Sequence, residues 1–466
     1  MSTVQPQRTA HNQRRVSFAT LIGTTIEWYD FFIYATMAGL VFAQLFFEPA
    51  GESIGLLLAF ASVGISFLFR PLGAFLAGHY GDKIGRRAIL VLTLLLMGGA
   101  TTLIGVLPTY ETAGVIAPVM LLLLRVVQGI SAGGEWGGAV LMAVEHADDD
   151  RRGRAGAFPQ LGVPLGMLLA TGVTAVMTGW IAPGDAFLEW GWRVPFLLSI
   201  VLIVVGYFVR RAVDESPVFQ EIAAASKQSK VPILELFRKH GLLVIIAALI
   251  FAGNNAAGYM ATGGFIPAYA TSEAVGLERT EVLTAVTYGA AMWMVSTFSA
   301  GVLSDRIGRK NTYLIGFAAQ LVTCFPLFWL INTGELPMLY LAMTLFTIGL
   351  GLSYGPQAAL YSEMFPASVR FSGISISYAL GAILGGAFAP TIATALVQAT
   401  GGTTAVSWYL VGMTVISIVA VLLVRDRTGI DLSIRNQAAQ EVGATVYDHR
   451  QPQVERQDST ELASVR

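Results

Sequence analysis

The sequence predicts an all-α membrane protein of twelve transmembrane helices in two pseudo-symmetric six-helix bundles. Three observations carry that reading: a shortage of charge, apolar runs of membrane-spanning length, and a motif that occurs twice. Of the 466 residues, 54% are hydrophobic and 13% charged, where about 25% charged is usual for a soluble domain. Unpaired backbone groups are too costly in lipid for long apolar runs to be anything but helices, and the alternation of barrel strands is absent. The 29 basic and 30 acidic residues nearly cancel, which argues against nucleic-acid binding as the main business. The single cysteine, Cys324, cannot form an internal disulfide.

Residues 1–16 are polar and lack a short apolar core with a cleavage site, so they read as a retained amino-terminal tail. Apolar spans near 17–46, 54–78, 88–107, 115–144, 155–180 and 192–212 build a first bundle over 17–212. A charged stretch, 213–240, reads as a linker. Spans near 241–270, 281–303, 312–332, 337–362, 372–398 and 404–424 build a second bundle over 241–424. The polar segment 425–466 has no apolar heptads and is expected to be a disordered tail. Lys and Arg concentrate in alternate loops, from Lys83 and Arg87 through Arg151, Arg152 and Arg154 to Arg306, Lys310 and Arg370, whereas the other loops hold only Arg193 and Arg279. Basic loops face the cytoplasm. Both termini and the linker are therefore expected inside a multi-pass protein of the cell (plasma or inner) membrane.

The repeated motif is G-x-x-x-D-x-x-G-R-[RK]. It runs through Gly78, Asp82, Gly85, Arg86 and Arg87 after the second span, and through Gly301, Asp305, Gly308, Arg309 and Lys310 after the eighth. A looser echo pairs Glu145 to Arg154 and Gly156 with Glu363 to Arg370 and Gly373. Two six-helix halves derived from one ancestral unit explain both. The paired loops, the twelve spans and the long central loop resemble the major facilitator superfamily of secondary transporters over about residues 17–424. Within it, Glu27-Trp28-Tyr29-Asp30-Phe31, Phe69-Arg70-Pro71-Leu72-Gly73, Arg125 to Gly129 running into Gly133-Gly134-Glu135-Trp136-Gly137, Trp190 to Phe196 and Glu363-Met364-Phe365-Pro366 are similar to the metabolite:proton symporter family. That resemblance implies alternating access, proton-coupled import of a small organic acid, and motif loops that latch one conformation. The Gly133 to Gly138 run and the Gly78 to Asp82 loop look closest to the shikimate branch. Carriers of 2-oxoglutarate or citrate and of proline or betaine are the alternatives, and the tail lacks the coiled coil of the osmosensing branch.

An ionisable side chain inside a bilayer is costly unless paired or wet, which makes it a functional candidate. Glu27, Asp30, Arg70, Arg125 and Glu135 qualify. At about 1.5 Å per residue, Asp30 lies about 20 Å inward from Ser17, halfway through a core of about 30 Å, and Arg125 reaches nearly the same depth from the other side. Glu27 and Tyr34 share the Asp30 face by their spacing. The expected arrangement is a direct Asp30 and Arg125 pair, from which a substrate anion displaces the carboxylate and leaves it to take up a proton. The competing account is a permanent buried pair that only sets helix register.

Arg70 and Glu135 match in depth and suggest an inner gate or a static bridge. Asn254 and Asn255 in the seventh span and Tyr354 and Gln357 in the tenth are expected to line a cavity from the second half, or else to bind helix to helix. Asp82 and Asp305, each just past a helix end, suit contacts between neighbouring segments. Gly133, Gly134, Gly137, Gly138, Gly162, Gly166, Gly381 and Gly385 mark close helix approaches. Gly129-Ile130-Ser131-Ala132-Gly133 matches the G-x-S-x-G pattern of serine hydrolases, but it sits in an unbroken apolar span with no histidine at membrane depth to act as base. No P-loop or zinc motif is present. The chain is read as a transporter and not an enzyme, with no cofactor beyond the proton gradient. Its expected partners are a small organic acid, protons and lipid, with no nucleic acid and no obligate protein partner; an uncoupled facilitator is the runner-up class.

Overall fold

The computed structural model describes residues 10–84, 86–211, 232–262 and 264–444. Twelve helical rods cross the fold among them: α1 (Ala10–Met37), α2 (Glu52–Ile84), α3 (Arg86–Ile104), α4 (Ile116–Glu145), α5 (Arg152–Ile181), α6 (Phe187–Phe208), α7 (Pro232–Thr262, resuming as Phe265–Ala270), α8 (Arg279–Ile307), α9 (Arg309–Ile331), α10 (Leu336–Met364), α11 (Arg370–Thr400) and α12 (Thr404–Leu423). Ten are long and apolar enough to cross a membrane. The other two are α1, whose apolar run is interrupted by Thr24, Thr25, Glu27 and Asp30, and α3, where Val91–Ile104 forms a shorter apolar stretch.

The packing repeats as the sequence does. In the first half α1 packs on α5 and α6, α4 on α2 and α3, and α3 on α6. In the second half α7 packs on α11 and α12, α10 on α8 and α9, and α9 on α12. The most extensive contacts between the halves, α5 with α8 and α2 with α11, are exchanged by the same pseudo-symmetry.

Glycines decide how close these helices come. A Cβ on Gly129 would lie 2.2 Å from the Ser66 carbonyl oxygen, and one on Gly133 would lie 2.1 Å from that of Arg70, so α2 and α4 touch backbone to backbone. Gly162 and Gly166 do the same for α5 against α1, and Gly381 and Gly385 for α11 against α7. Lipid offers no hydrophobic drive between helices, so close van der Waals contact of this kind is what holds them. Both α4 and α10 are interrupted within their length, at Gly133 and Gly134 and at Gly355 and Pro356; proline removes a backbone donor and glycine a side chain.

Two expected boundaries move. The seventh rod begins at Pro232, inside the segment read as linker, and breaks at His240, whose φ of −127° is not helical; Leu236 is buried, which gives that extra piece a packing face. The segment after Arg425 is not wholly disordered. Residues 425–444 are folded, with a short 3-10 turn at Ile434–Asn436 and α13 (Gln437–Gly443), and they dock with Leu432 and Gln440 buried. Composition marked the segment as polar, but its partners are backbone carbonyls and charges far away in sequence.

Candidate functional site

A central cavity lies between the halves. Trp28 and Phe32 of α1 and Val163 of α5 line it from the first half; Phe251, Asn254, Asn255 and Tyr259 of α7, Trp293 of α8, Tyr354 of α10 and Tyr378 of α11 line it from the second. Its empty volume is about 260 Å³. The site is small beside typical ligand pockets of about 300–1,000 Å³, and it is nearly closed in this conformation. Its wall is aromatic and continuous: Phe251 stacks on Tyr378 with centroids 4.6 Å apart, Tyr378 stacks on Trp136 at 3.8 Å, and Tyr354 leans on Trp293 at 5.8 Å.

Three of the six side chains expected to bind substrate line this cavity. Asn254 Nδ2 donates to the Leu350 carbonyl (2.9 Å) and to Ser353 Oγ (2.7 Å), and Asn255 Nδ2 donates to the Ala382 carbonyl (3.3 Å), so both amides also tie α7 to its neighbours. Tyr354 is the third. Gln357 lies away from the lining, where its Oε1 accepts from Gln160 Nε2 at 3.4 Å. Tyr34 donates to or accepts from Ser62 Oγ at 2.7 Å, behind the wall.

The direct Asp30 and Arg125 pair does not form. Arg125, 1% exposed, is held by Ser66 Oγ (2.8 Å), the Val63 carbonyl (2.9 Å) and Gln128 Oε1 (2.7 Å), with its guanidinium 3.8 Å from the centre of the Tyr34 ring. Asp30, also 1% exposed, turns toward α3 and α6, where Ser199 Oγ donates to it at 2.6 Å. Residue spacing gives a position along the helix but not azimuth, which the neighbours of α1 decide. The two groups are instead joined by a relay. Gln128, bound to Arg125, donates through Nε2 to Thr101 Oγ1 at 2.7 Å; the one Thr101 hydroxyl hydrogen goes to the Met97 carbonyl at 3.0 Å, with the Asp30 carboxyl group beside it as the alternative acceptor. Glu27, 3% exposed, acts electrostatically on Tyr259, Tyr354 and Tyr378 of the cavity, as does Arg70 on Tyr259 and Tyr378. Arg70 stacks on Phe67 with 4.4 Å to the ring centre, while Glu135 opens the second piece of α4 just beyond the Gly133 contact with the Arg70 backbone.

At the end where α12 meets the tail, charges cross between the halves. Asp305, the aspartate of the second motif copy, accepts from the backbone N–H groups of Gly153 (2.7 Å) and Arg154 (2.8 Å), the first turn of α5, where a carboxylate suits the helix dipole. Arg309 of the same motif binds Asp305 at 2.6 Å and Glu363 at 3.2 Å. Gly308, between them, has φ of +92°, which a side chain rarely tolerates and which accounts for glycine at this place in the second copy. Of the first copy, Gly85 lies outside the described residues, as do the side-chain surroundings of Gly78, Asp82 and Arg86.

The looser echo hid a reciprocal pair. Glu145 of α4 meets Arg370 of α11 at 3.5 Å, and Glu363 of α10 meets Arg152 of α5 at 3.8 Å. Each half lends a carboxylate and an arginine at the same offset, which was the missed signal: aligning Glu145 with Glu363 pairs Arg152, not Arg154, with Arg370. The docked tail completes the cluster. Gln440 Oε1 accepts from Arg370 Nη2 and from the Ala367 N–H, both at 2.8 Å, while Arg152 donates to the Ile430 carbonyl and Gly429 N–H to Glu363. Burial, with the neighbouring Arg370 and Arg425 charges, lowers the Arg427 guanidinium to about 10, which leaves it charged at neutral pH.

Two helical bundles related by pseudo-symmetry, with a cavity at their seam and a cluster of charges at one end, form the architecture of a membrane transporter. The chain belongs to the Major Facilitator Superfamily, whose family model matches residues 20–383. It is 40% identical to an inner membrane metabolite transport protein of Escherichia coli (strain K12), over 89% of this chain and 95% of that one. It is 35% identical to the shikimate transporter of the same organism (89% and 94% covered) and 30% identical to the proline/betaine transporter of Salmonella typhimurium (92% and 87%). Among solved structures, the proton:xylose symporter XylE from E. coli superposes with a TM-score of 0.73 at 18% identity, covering 91% of this chain and 98% of that one. The chain is a membrane transporter and not an enzyme.

Proposed function

We propose that the protein is a proton-coupled symporter that brings a small organic acid, shikimate-like in size and hydroxylation, into the cytoplasm by alternating access. The reading rests on one observation above the others. A buried carboxyl group, Asp30, is linked through Thr101 and Gln128 to a buried guanidinium, Arg125, behind a nearly closed cavity that both halves share. Protonation of Asp30 strands no cation, because hydroxyl groups surround it, and a change in its hydrogen bonding is passed to Arg125 through the relay. Arg125 packs on the Tyr34 and Phe31 rings, and Phe31 packs edge-on to Tyr259 of the cavity wall (5.5 Å). Proton and cargo thereby act on one connected set of side chains, with no cofactor required. The shikimate transporter among the relatives supports a hydroxy acid as cargo. The charged end, rich in Arg and Lys, is assigned to the cytoplasm by its basicity, and its ionic closure is assigned to the outward-facing side of the cycle.

The test is uptake into reconstituted vesicles of labelled shikimate, 2-oxoglutarate and proline, with and without an imposed pH gradient. Wild type is expected to accumulate shikimate only with the gradient. Asp30→Asn is expected to lose gradient-driven accumulation at least tenfold while retaining exchange of internal for external substrate. Accumulation by Asp30→Asn equal to wild type removes Asp30 from coupling, and flux indifferent to the gradient in wild type makes the protein a facilitator.

A further inference from the structure

Four helices each place one residue at the charged-end edge of the cavity: Trp136 of α4, Gln160 of α5, Tyr354 of α10 and Tyr378 of α11. On α5 the order is Arg152, Gln160 and then Val163 of the cavity wall, and on α10 Tyr354 of the wall comes before Glu363, so the charged pairs lie beyond these residues as seen from the cavity. All four are buried, and they close into a ring. Trp136 Nε1 donates to Gln160 Oε1 at 2.9 Å, and Gln160 Nε2 donates to the Tyr354 carbonyl at 3.2 Å. The Tyr354 and Tyr378 hydroxyls lie close enough to interact, and Tyr378 stacks on Trp136 with centroids 3.8 Å apart and planes 13° from parallel.

The sequence offset that carries Glu145 to Glu363 and Arg152 to Arg370 also carries Trp136 to Tyr354 and Gln160 to Tyr378. The exchange of partners is the same as well: α4 meets α11 and α5 meets α10 in both layers. Glycine makes room for it. A Cβ on Gly137, beside Trp136, would lie 2.1 Å from Ser375 Oγ of α11, and one on Gly156 of α5 would lie 2.8 Å from the Ala358 Cβ of α10. An indole N–H only donates, so Trp136 keeps the Gln160 oxygen on its own side. The amide donor is left to face the second half, where Gln357 Oε1 at 3.4 Å is a further acceptor.

Two of the four links, Trp136 to Gln160 and Tyr354 to Tyr378, stay within one half, and the other two cross the seam. Resting on the alternating-access part of the reading above and not on its cargo, we propose that this ring is a second, inner closure of the cavity, separate from the ionic one, and that Gln160 is the positioning residue that holds it shut. Opening toward the charged end splits the ring into its two within-half pairs, and water admitted to the gap replaces the acceptors that Gln160 loses. The ionic layer lies about two and a half helical turns farther along α4, from Trp136 to Glu145. It shares no residue with the cavity wall, whereas Tyr354 and Tyr378 belong to both wall and ring. Cargo therefore meets the inner closure directly and the ionic one only through it.

Thiol labelling without cargo or pH gradient tests this. In full-length Cys324→Ala protein, Val163→Cys puts one thiol on the cavity wall. Asp150→Cys, made separately in the exposed loop between α4 and α5, reports which vesicle face carries the charged end. A membrane-impermeant maleimide is added to right-side-out and to inverted vesicles. Gln160→Leu is expected to raise labelling of the cavity thiol from the charged-end face about fivefold or more, with the rate from the opposite face unchanged or slower. Gln160→Asn, whose amide reaches less far, replaces it with the same expectation if the leucine variant does not fold. Thr287→Val removes a hydrogen bond to Thr171 (2.8 Å) on the other side of the cavity and is expected to leave the charged-end rate unchanged. An unchanged charged-end rate in folded Gln160 variants overturns the proposal. So does a rise from both faces, or an equal rise in Thr287→Val, since either means a loosened fold. The readings fail separately: equal labelling of the Val163→Cys parent from both faces ends alternating access and the ring with it, whereas parental labelling in the Gln160 variants ends the ring alone and leaves proton-coupled uptake to its own test.

Discussion

At the scale of single residues, the relay between Asp30 and Arg125 makes Gln128 more than a packing group. Its amide satisfies a guanidinium on one side and a threonine hydroxyl on the other, both fully buried. Replacing it by leucine removes both partners at once. Gln128→Leu is expected to destabilise the protein by about 2 kcal/mol, read as a lower melting temperature in detergent, and to reduce gradient-driven uptake more than exchange. Equal loss of both activities at unchanged stability would contradict a relay. Membrane depth made Asp30, Arg125 and Glu27 visible in the sequence, because buried charge is rare enough to stand out. Which of them meet was not visible, since a helix at 100° per residue turns Asp30 toward Ser199 and leaves Glu27 near the tyrosines of the other half. Tyr354 was expected in the cavity, whereas Trp293, Tyr259 and Tyr378 escaped for a related reason: an aromatic residue in an apolar span reads as core until its nitrogen or oxygen is found without a partner.

At the scale of elements, the twelve spans were legible because lipid forces a helix on any long apolar run, and only their ends and breaks depended on tertiary detail. Glycine contacts supply a discriminating test of the packing. Gly129 and Gly99 stand on adjacent helices, yet a Cβ on the first would sit 2.2 Å from the Ser66 oxygen, while nothing lies within 4 Å of one on the second. Gly129→Ala is expected to cost about 1–3 kcal/mol through forced separation of α2 and α4. Gly99→Ala is expected to be neutral or to gain up to about 1 kcal/mol from helix propensity. Thermal unfolding of both variants in the same detergent checks the contrast, and equal effects would mean that α2 and α4 are not packed at that distance. The seven-residue piece α13 shows the opposite limit: its polar sequence gave no periodic face, and only the buried Gln440 reveals what it holds.

At the scale of the whole molecule, the swapped Glu145 with Arg370 and Glu363 with Arg152 pairs close one end of the seam. Breaking a buried pair by removing one partner costs about 3–5 kcal/mol; for Glu363 the share owed to Arg152 falls on the closed arrangement and the share owed to Arg309 on the second half itself. Glu363→Gln is therefore expected to shift the population toward the form open at the charged end. Distance measurements between spin labels placed on α5 and α11 at that end check it; an unchanged distance distribution would make the pairs structural rather than gating. Ending the chain after Asp426 is expected to move the same distribution in the same direction, because it removes Ile430 and Gln440 from Arg152 and Arg370. Since those two arginines sit on different bundles, the segment 425–444 lies across the seam like a strap. On the alternating-access reading each turnover is expected to unfasten it, so a partner that grips residues 425–444 is expected to change transport speed without ever reaching the binding pocket.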